Sequence, residues 1–143
     1  MIVKQFALND EDYNRLQTEY PTIGKNSVIE KLSIEIVKLY FQSENTLTTF
    51  KKGNKSVDLI VELEGIETPY EIKGTESADI AYNKLRVSSK DSHAALVGGM
   101  KLLRVSNVRN KTVNLYFLEH GVHFELVEEP RWRIKKIKSP FNK

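Results

Sequence analysis

At 143 residues the chain can bury a substantial core as one domain, without disulfides or structural metal, and we read 1–143 as a single unit. It has no cysteine, which excludes thiol catalysis and cysteine-ligated zinc or iron–sulfur sites and fits a reducing cytoplasmic setting. The balance of 40% hydrophobic and 29% charged residues argues against extended disorder, and the net charge of +3 mildly favours an anionic partner such as nucleic acid.

Apolar runs such as Leu59-Ile60-Val61 and Ala94-Ala95-Leu96-Val97 fall far short of the ~20 residues that span a bilayer, and the N-terminus lacks a signal core, so no membrane partner is expected. Met1-Ile2-Val3 reads as extended. Asn9 followed by Asp10-Glu11-Asp12 caps and charges a short helix to about Glu19, which Pro21 and Gly24 break. A stronger helix starts at Asn26-Ser27, because Val28, Ile29, Leu32, Ile36, Leu39 and Tyr40 recur at helical spacing to about Phe41. Residues Asn45 to Phe50 and Ser56 to Leu63 are rich in β-branched and apolar types and read as strands joined through Lys51-Lys52-Gly53-Asn54. Glu64-Gly65 and the nearby Glu67-Thr68-Pro69 then bracket a tight reversal into a strand carrying Tyr70-Glu71-Ile72-Lys73. Ser88 or Ser89 caps a short helix running to Val97 before Gly98-Gly99 ends it. Lys101 to Val108 and Thr112 to Leu118 form a hairpin, and Val122 to Val127 adds a further strand. From about Arg131 the chain is a basic run interleaved with apolar residues, followed by a tail containing Pro140. The fold class is therefore α/β, with a mixed sheet flanked by helices.

Side chains alternate along a strand, so Glu71 and Lys73 share one face. If Glu64-Gly65 is the two-residue turn, Leu63 pairs with Ile66 and Asp58 falls opposite Glu71. Two carboxylates and a lysine then converge. Carboxylates that close repel unless a cation lies between them, and hard oxygen ligands select magnesium or manganese. We therefore expect Asp58 and Glu71 to hold metal and Lys73 to orient a water or neutralise a phosphate. Lys51, Lys52 and Lys55, just ahead of Asp58, are placed to meet a phosphodiester backbone.

This pattern of an acidic residue, a hairpin and then acidic-X-Lys resembles the PD-(D/E)XK nuclease superfamily, to which restriction endonucleases and Holliday-junction resolvases belong. The resemblance implies a restriction endonuclease-like core and magnesium- or manganese-dependent hydrolysis of DNA. It assigns catalytic roles to Asp58, Glu71 and Lys73, and matches Glu30 to the additional glutamate of many members. Val57 stands where proline is common. Glu71-Ile72-Lys73-Gly74-Thr75, Val87-Ser88 and Leu103 to Val108 look, more loosely, like the small C-terminal domain of NO VEIN-type proteins, often tied to restriction and anti-phage systems. One site per chain would favour a homodimer, or a partner subunit, for cutting both strands.

Two rival readings stand beside this one: a non-catalytic nucleic-acid-binding module, and a structural domain whose Glu-X-Lys is a solvated ion pair. Ser27-Val28-Ile29-Glu30 is also a capping box, which would make Glu30 a helix cap. Glu35 reads as a solvent-facing helix residue, and His93, His120 and His123 as surface or packing residues lacking a third metal ligand. The basic run reads either as a phosphate contact with Trp132 stacking on a base, or as a solvated strand edge.

Overall fold

A computed structural model describes residues 1–22, 26–129, 132 and 134–137. The chain order is β1 (Ile2–Ala7), α1 (Asp10–Glu19), α2 (Asn26–Glu44), β2 (Thr49–Lys52), β3 (Leu59–Leu63), β4 (Ile66–Gly74), α3 (Lys90–Val97), β5 (Lys101–Ser106) and β6 (Thr112–Leu118). A single turn of 3₁₀ helix at Tyr82–Lys84 interrupts the β4–α3 connection. The strands form one six-stranded sheet in the order β1-β6-β5-β4-β3-β2, antiparallel except for the parallel β4–β5 pair. The expected α/β class with a mixed sheet is therefore observed. No helix among the described residues is long and apolar enough to cross a membrane.

Local chemistry explains where most elements start and stop. The Asn9 side chain accepts from the Asp12 backbone N–H at 2.7 Å and opens α1. Of the two serines able to cap α3 it is Ser89, accepting from Ser92 N at 3.0 Å. Glu64 (φ 54°) and Gly65 (φ 78°) are both left-handed, as a two-residue primed turn requires, and Leu63 pairs with Ile66 as expected. On one side of the sheet, Leu32, Ile36, Val37 and Tyr40 of α2 bury against Leu59, Val61, Tyr70, Ile72, Leu103 and Val105. A smaller cluster gathers Leu96, Met100, Leu102 and Leu118, joined by Leu85, Val87, Phe124 and Leu126.

Several boundaries depart from the sequence reading. The second helix runs on to Glu44, and β2 begins only at Thr49. Asn45 Oδ1 accepts from Leu47 N (2.9 Å) and Thr48 N donates to Asn45 O (3.0 Å), so this β-prone stretch closes into a turn instead. Lys51 and Lys52, expected in a turn, lie in β2, while Ser56, Val57 and Asp58, expected in a strand, precede β3, with Ser56 and Val57 in a loop folded around Asn54. The strand expected at Val122 to Val127 does not form. Gly121 (φ 82°) turns the chain there, and a single bridge between His120 and Phe124 is all that remains of sheet pairing. Of the basic run, Arg131, Arg133 and Lys138 lie outside the described residues, as does the tail with Pro140, while Trp132 is 94% exposed.

One close approach ties α2 to β4. A Cβ built on Gly74 would lie 1.8 Å from Ser33 Oγ and 3.0 Å from Ser33 Cβ, so only glycine lets the helix rest on the strand here. Ser33 is fully buried and its hydroxyl donates to Ile29 O at 2.7 Å. Gly74→Ala should destabilise the fold by about 1–3 kcal/mol through overpacking. Adding Ser33→Ala should return much of that loss in denaturant unfolding, because the worst contact is to the hydroxyl. Equal stability of Gly74→Ala and wild type would show that the helix does not bear on the strand at this point.

Candidate active site

β3 and β4 do not run side by side to the end. Their ladder reaches Leu59–Tyr70 and stops, whereas β4 continues to Gly74 with only β5 beside it. This leaves a notch in the sheet along residues 71–74. Asp58 stands at its corner. Its backbone N–H donates to Tyr70 O at 3.0 Å, and its carboxylate replaces the missing strand by accepting from Ile72 N at 2.7 Å through Oδ2. A charge-assisted bond to backbone thus fixes one oxygen and leaves Oδ1 for another partner. The approach to Asp58 is equally constrained: Asn54 Oδ1 accepts from both N and Oγ of Ser56, each at 3.0 Å. Gly53 lies against the Val57 carbonyl, where a Cβ would come within 1.7 Å.

Glu71 and Lys73 follow along the open edge. Lys73 Nζ lies 3.4 Å from Glu71 Oε1 and 3.8 Å from Glu30 Oε1 on α2. The structure thus brings Asp58, Glu71, Lys73 and Glu30 together. Glu30 reaches the site through Lys73, and α2 already includes Asn26, so Ser27 is not the residue before the helix. Residues that would cap α2 lie outside the described ones.

Glu71 is only 5% exposed. Burial pushes its carboxyl above the ordinary carboxylate range, the nearby negative charges of Asp58 and Glu30 push the same way, and Lys73 only partly offsets them. Such a donor set suits a hard divalent cation. Magnesium is commonly held by one or two carboxylates with water and substrate phosphate completing its shell, and a cation here would relieve the Asp58–Glu71 repulsion. Among the described residues no group of three or more His, Asp or Glu side chains is placed to hold a metal ion.

A cleft of about 340 Å³ opens beside Asp58, walled by α2 and β2 and lined by Lys31, Lys38, Lys51 and Lys52 together with Tyr20 and Glu35. Two of these lysines are committed to carboxylates, Lys38 to Glu35 at 3.4 Å and Lys51 to Glu67 and Glu62. Lys31 and Lys52 make no ion pair among the described residues. Lys55 is exposed and does not line the cleft.

Sequence reasoning passed over Lys31 and Lys38, although with Glu35 they recur at helical spacing on α2. It also passed over Arg104, whose signal was a charge inside an apolar strand. Arg104 is 2% exposed, and desolvation pulls its guanidinium below its usual pKa. It donates to Ile80 O (2.7 Å), Gly74 O (3.1 Å) and Ala81 O (3.4 Å), clamping the loop after β4 next to its register partner Lys73. Two of the three histidines make structural contacts: His123 Nδ1 accepts from Glu119 N at 3.0 Å, and His120 packs edge-on against Phe124, while His93 is exposed. Compared with protein-family models, curated proteins and solved structures, the chain has no match in any of the three.

A carboxyl whose folded pKa lies above its unfolded one opposes folding once ionised. That cost is absent below the ordinary carboxylate range and fully present above the raised value, so stability falls as pH rises between them. Glu71→Gln should therefore melt at a higher temperature than wild type at neutral pH, with the two curves converging under acidic conditions. A wild type at least as stable at neutral pH would mean that Glu71 is not strained by its surroundings.

Proposed function

We propose that this chain is a metal-dependent nuclease of PD-(D/E)XK type that hydrolyses phosphodiester bonds in DNA. The observation that carries the reading is the buried Glu71 carboxylate, set between Asp58 and Lys73 at a notch in the sheet. A buried carboxylate with a second carboxylate beside it is costly as a structural device, and perturbed carboxylates of this kind concentrate at functional sites. The element order supports it too: helix α2, the antiparallel β2–β3–β4 meander, helix α3, then β5 parallel to β4.

Asp58 Oδ1 and the Glu71 carboxylate would hold magnesium or manganese, which when bound supplies Lewis-acid polarisation of the phosphodiester and acidifies the attacking water. Lys73 is anchored by Glu71 and Glu30, so its ammonium is held at the notch, where it orients the water or neutralises charge developing on the phosphoryl oxygens. Glu30 acts as a positioning residue for that lysine. The cleft beside Asp58 receives the backbone, with Lys31 and Lys52 as the uncommitted cations and Lys51 held by acidic neighbours.

The test is cleavage of supercoiled plasmid, linear duplex and branched DNA with magnesium or manganese. Wild type should cut, Lys73→Ala should lose at least ~10²-fold, and activity should fall on acidification as Glu71 takes up a proton. Lys31→Ala and Lys52→Ala should each weaken DNA binding across sequences and lower the salt slope by about 1. Failure of wild type to cut any DNA with either metal would overturn the nuclease reading, and intact binding in that case would leave a nucleic-acid-binding module.

A further inference from the structure

A second concavity lies against Lys73, apart from the basic cleft. It measures about 100 Å³, and its apolar walls are Tyr82, Leu85, Val87, Leu102, Phe124 and Leu126. Three features make it a formed site. Leu102 is the register partner of Glu71 across the β4–β5 ladder, so the pocket begins on the strand next to the one that carries Glu71 and Lys73. Its two irregular walls are tied together, since Tyr82 Oη donates to His123 O at 3.5 Å beside Phe124. The wall at 82–87 is braced by Arg86, which donates to Asn83 O (2.8 Å) and Leu85 O (2.9 Å) and pairs with Glu129 at 3.0 Å.

The dimensions and chemistry select the occupant. The volume is well below the ~300–1,000 Å³ of small-molecule sites and suits one flat ring. Two aromatic rings and four aliphatic side chains offer a stacking surface, while Arg86 and Glu125, the remaining polar liners besides Lys73, offer donors and an acceptor to a polar ring edge. A ring that is apolar on its faces, polar at its edge and attached to a phosphate at Lys73 is a nucleobase.

We infer that this pocket takes one unpaired nucleobase next to the scissile phosphate, so that the site acts on single-stranded, bulged or branched nucleic acid in preference to perfect duplex. The inference rests on the nuclease reading for its phosphate, but not for its ring. A base stacked in duplex cannot reach a recess of this kind without leaving the helix, whereas an unpaired base enters at little cost. The basic cleft at Asp58 and the pocket at Lys73 then receive backbone and base on either side of the notch.

The experiment measures binding without divalent metal, so that it does not depend on catalysis. Fluorescence anisotropy compares a short DNA single strand, the same strand as RNA, a duplex with one bulged nucleotide and the perfect duplex. NMR follows the methyl groups of Leu85, Val87, Leu102 and Leu126. Unpaired substrates should bind more tightly than perfect duplex and should shift those methyls, and the DNA and RNA arms identify which sugar accompanies the base. Tyr82→Ala, an exposed position where truncation spares the core, should weaken single-strand binding by about ten- to hundredfold, and Phe124→Ala should do the same. Equal affinity for paired and unpaired substrates, or unmoved methyls on saturation, would overturn the pocket assignment even if the protein cuts plasmid. Methyl shifts with single strands from a protein that cuts nothing would sustain the pocket and defeat the nuclease reading. Absence of both binding and cutting would defeat both.

Discussion

The register of one hairpin governs the candidate site. A two-residue turn needs left-handed backbone at both positions, and Glu64 and Gly65 supply it. With the turn fixed, pairing proceeds from Leu63–Ile66 to Leu59–Tyr70, and the next residue on each side is Asp58 and Glu71. A slip of one residue would send Tyr70 and Ile72 away from the core and bring Glu71 and Lys73 into it. The same alternation that buries Tyr70 against Phe41, at 5.5 Å between ring centroids, therefore puts Glu71 and Lys73 on the other face of the strand. Core packing and site geometry are two consequences of one pairing.

Electrostatics then sets the character of the site. Glu71 is buried at the notch and pairs with Lys73, and Lys73 is shared with Glu30. Asp58 spends one oxygen on the Ile72 amide, a bond that anchors it without neutralising it. The site is thus left with an excess of negative charge in a partly desolvated setting. A neutral residue in place of Glu71 would spare the fold that cost. Arg104 presents the opposite case. It is as deeply buried, but its guanidinium is paired with three carbonyls and so fixes the loop after Lys73.

Much of this was legible in the sequence, for identifiable reasons. The helical spacing of Leu32, Ile36 and Tyr40, the Glu64-Gly65 turn and the β alternation through Lys73 are strong local signals that tertiary structure did not override. The misread segments are those where a short side-chain contact competes with β propensity. Asn45 and Asn54 each capture nearby backbone N–H groups, which turns Asn45 to Thr48 and Ser56 to Val57 out of the sheet. Asn107, at φ 54°, likewise ends β5 at Ser106 short of the expected Val108. The notch, the clamp made by Arg104 and the two concavities depend on where β3 stops relative to β4 and on segments far apart in the chain, and no window of sequence carries that information.

The notch also explains how the site can be both buried and reachable. An interior strand is normally closed on two edges by neighbouring strands, and a carboxylate on it would be sealed beneath whatever packs on that face. Here β4 outruns β3, so Glu71 keeps the desolvation of a sheet interior while Lys73, at the exposed end, reaches past the edge to α2. Gly74 makes this possible, because its missing side chain lets α2 settle against the strand and bring Glu30 within range of the ammonium. Asp58 opens onto the basic cleft and Lys73 onto the apolar pocket, so the two sides of the site differ in chemistry as the two parts of a nucleotide do. The proposed substrate would use both surfaces, its backbone on the basic side and one base on the apolar side.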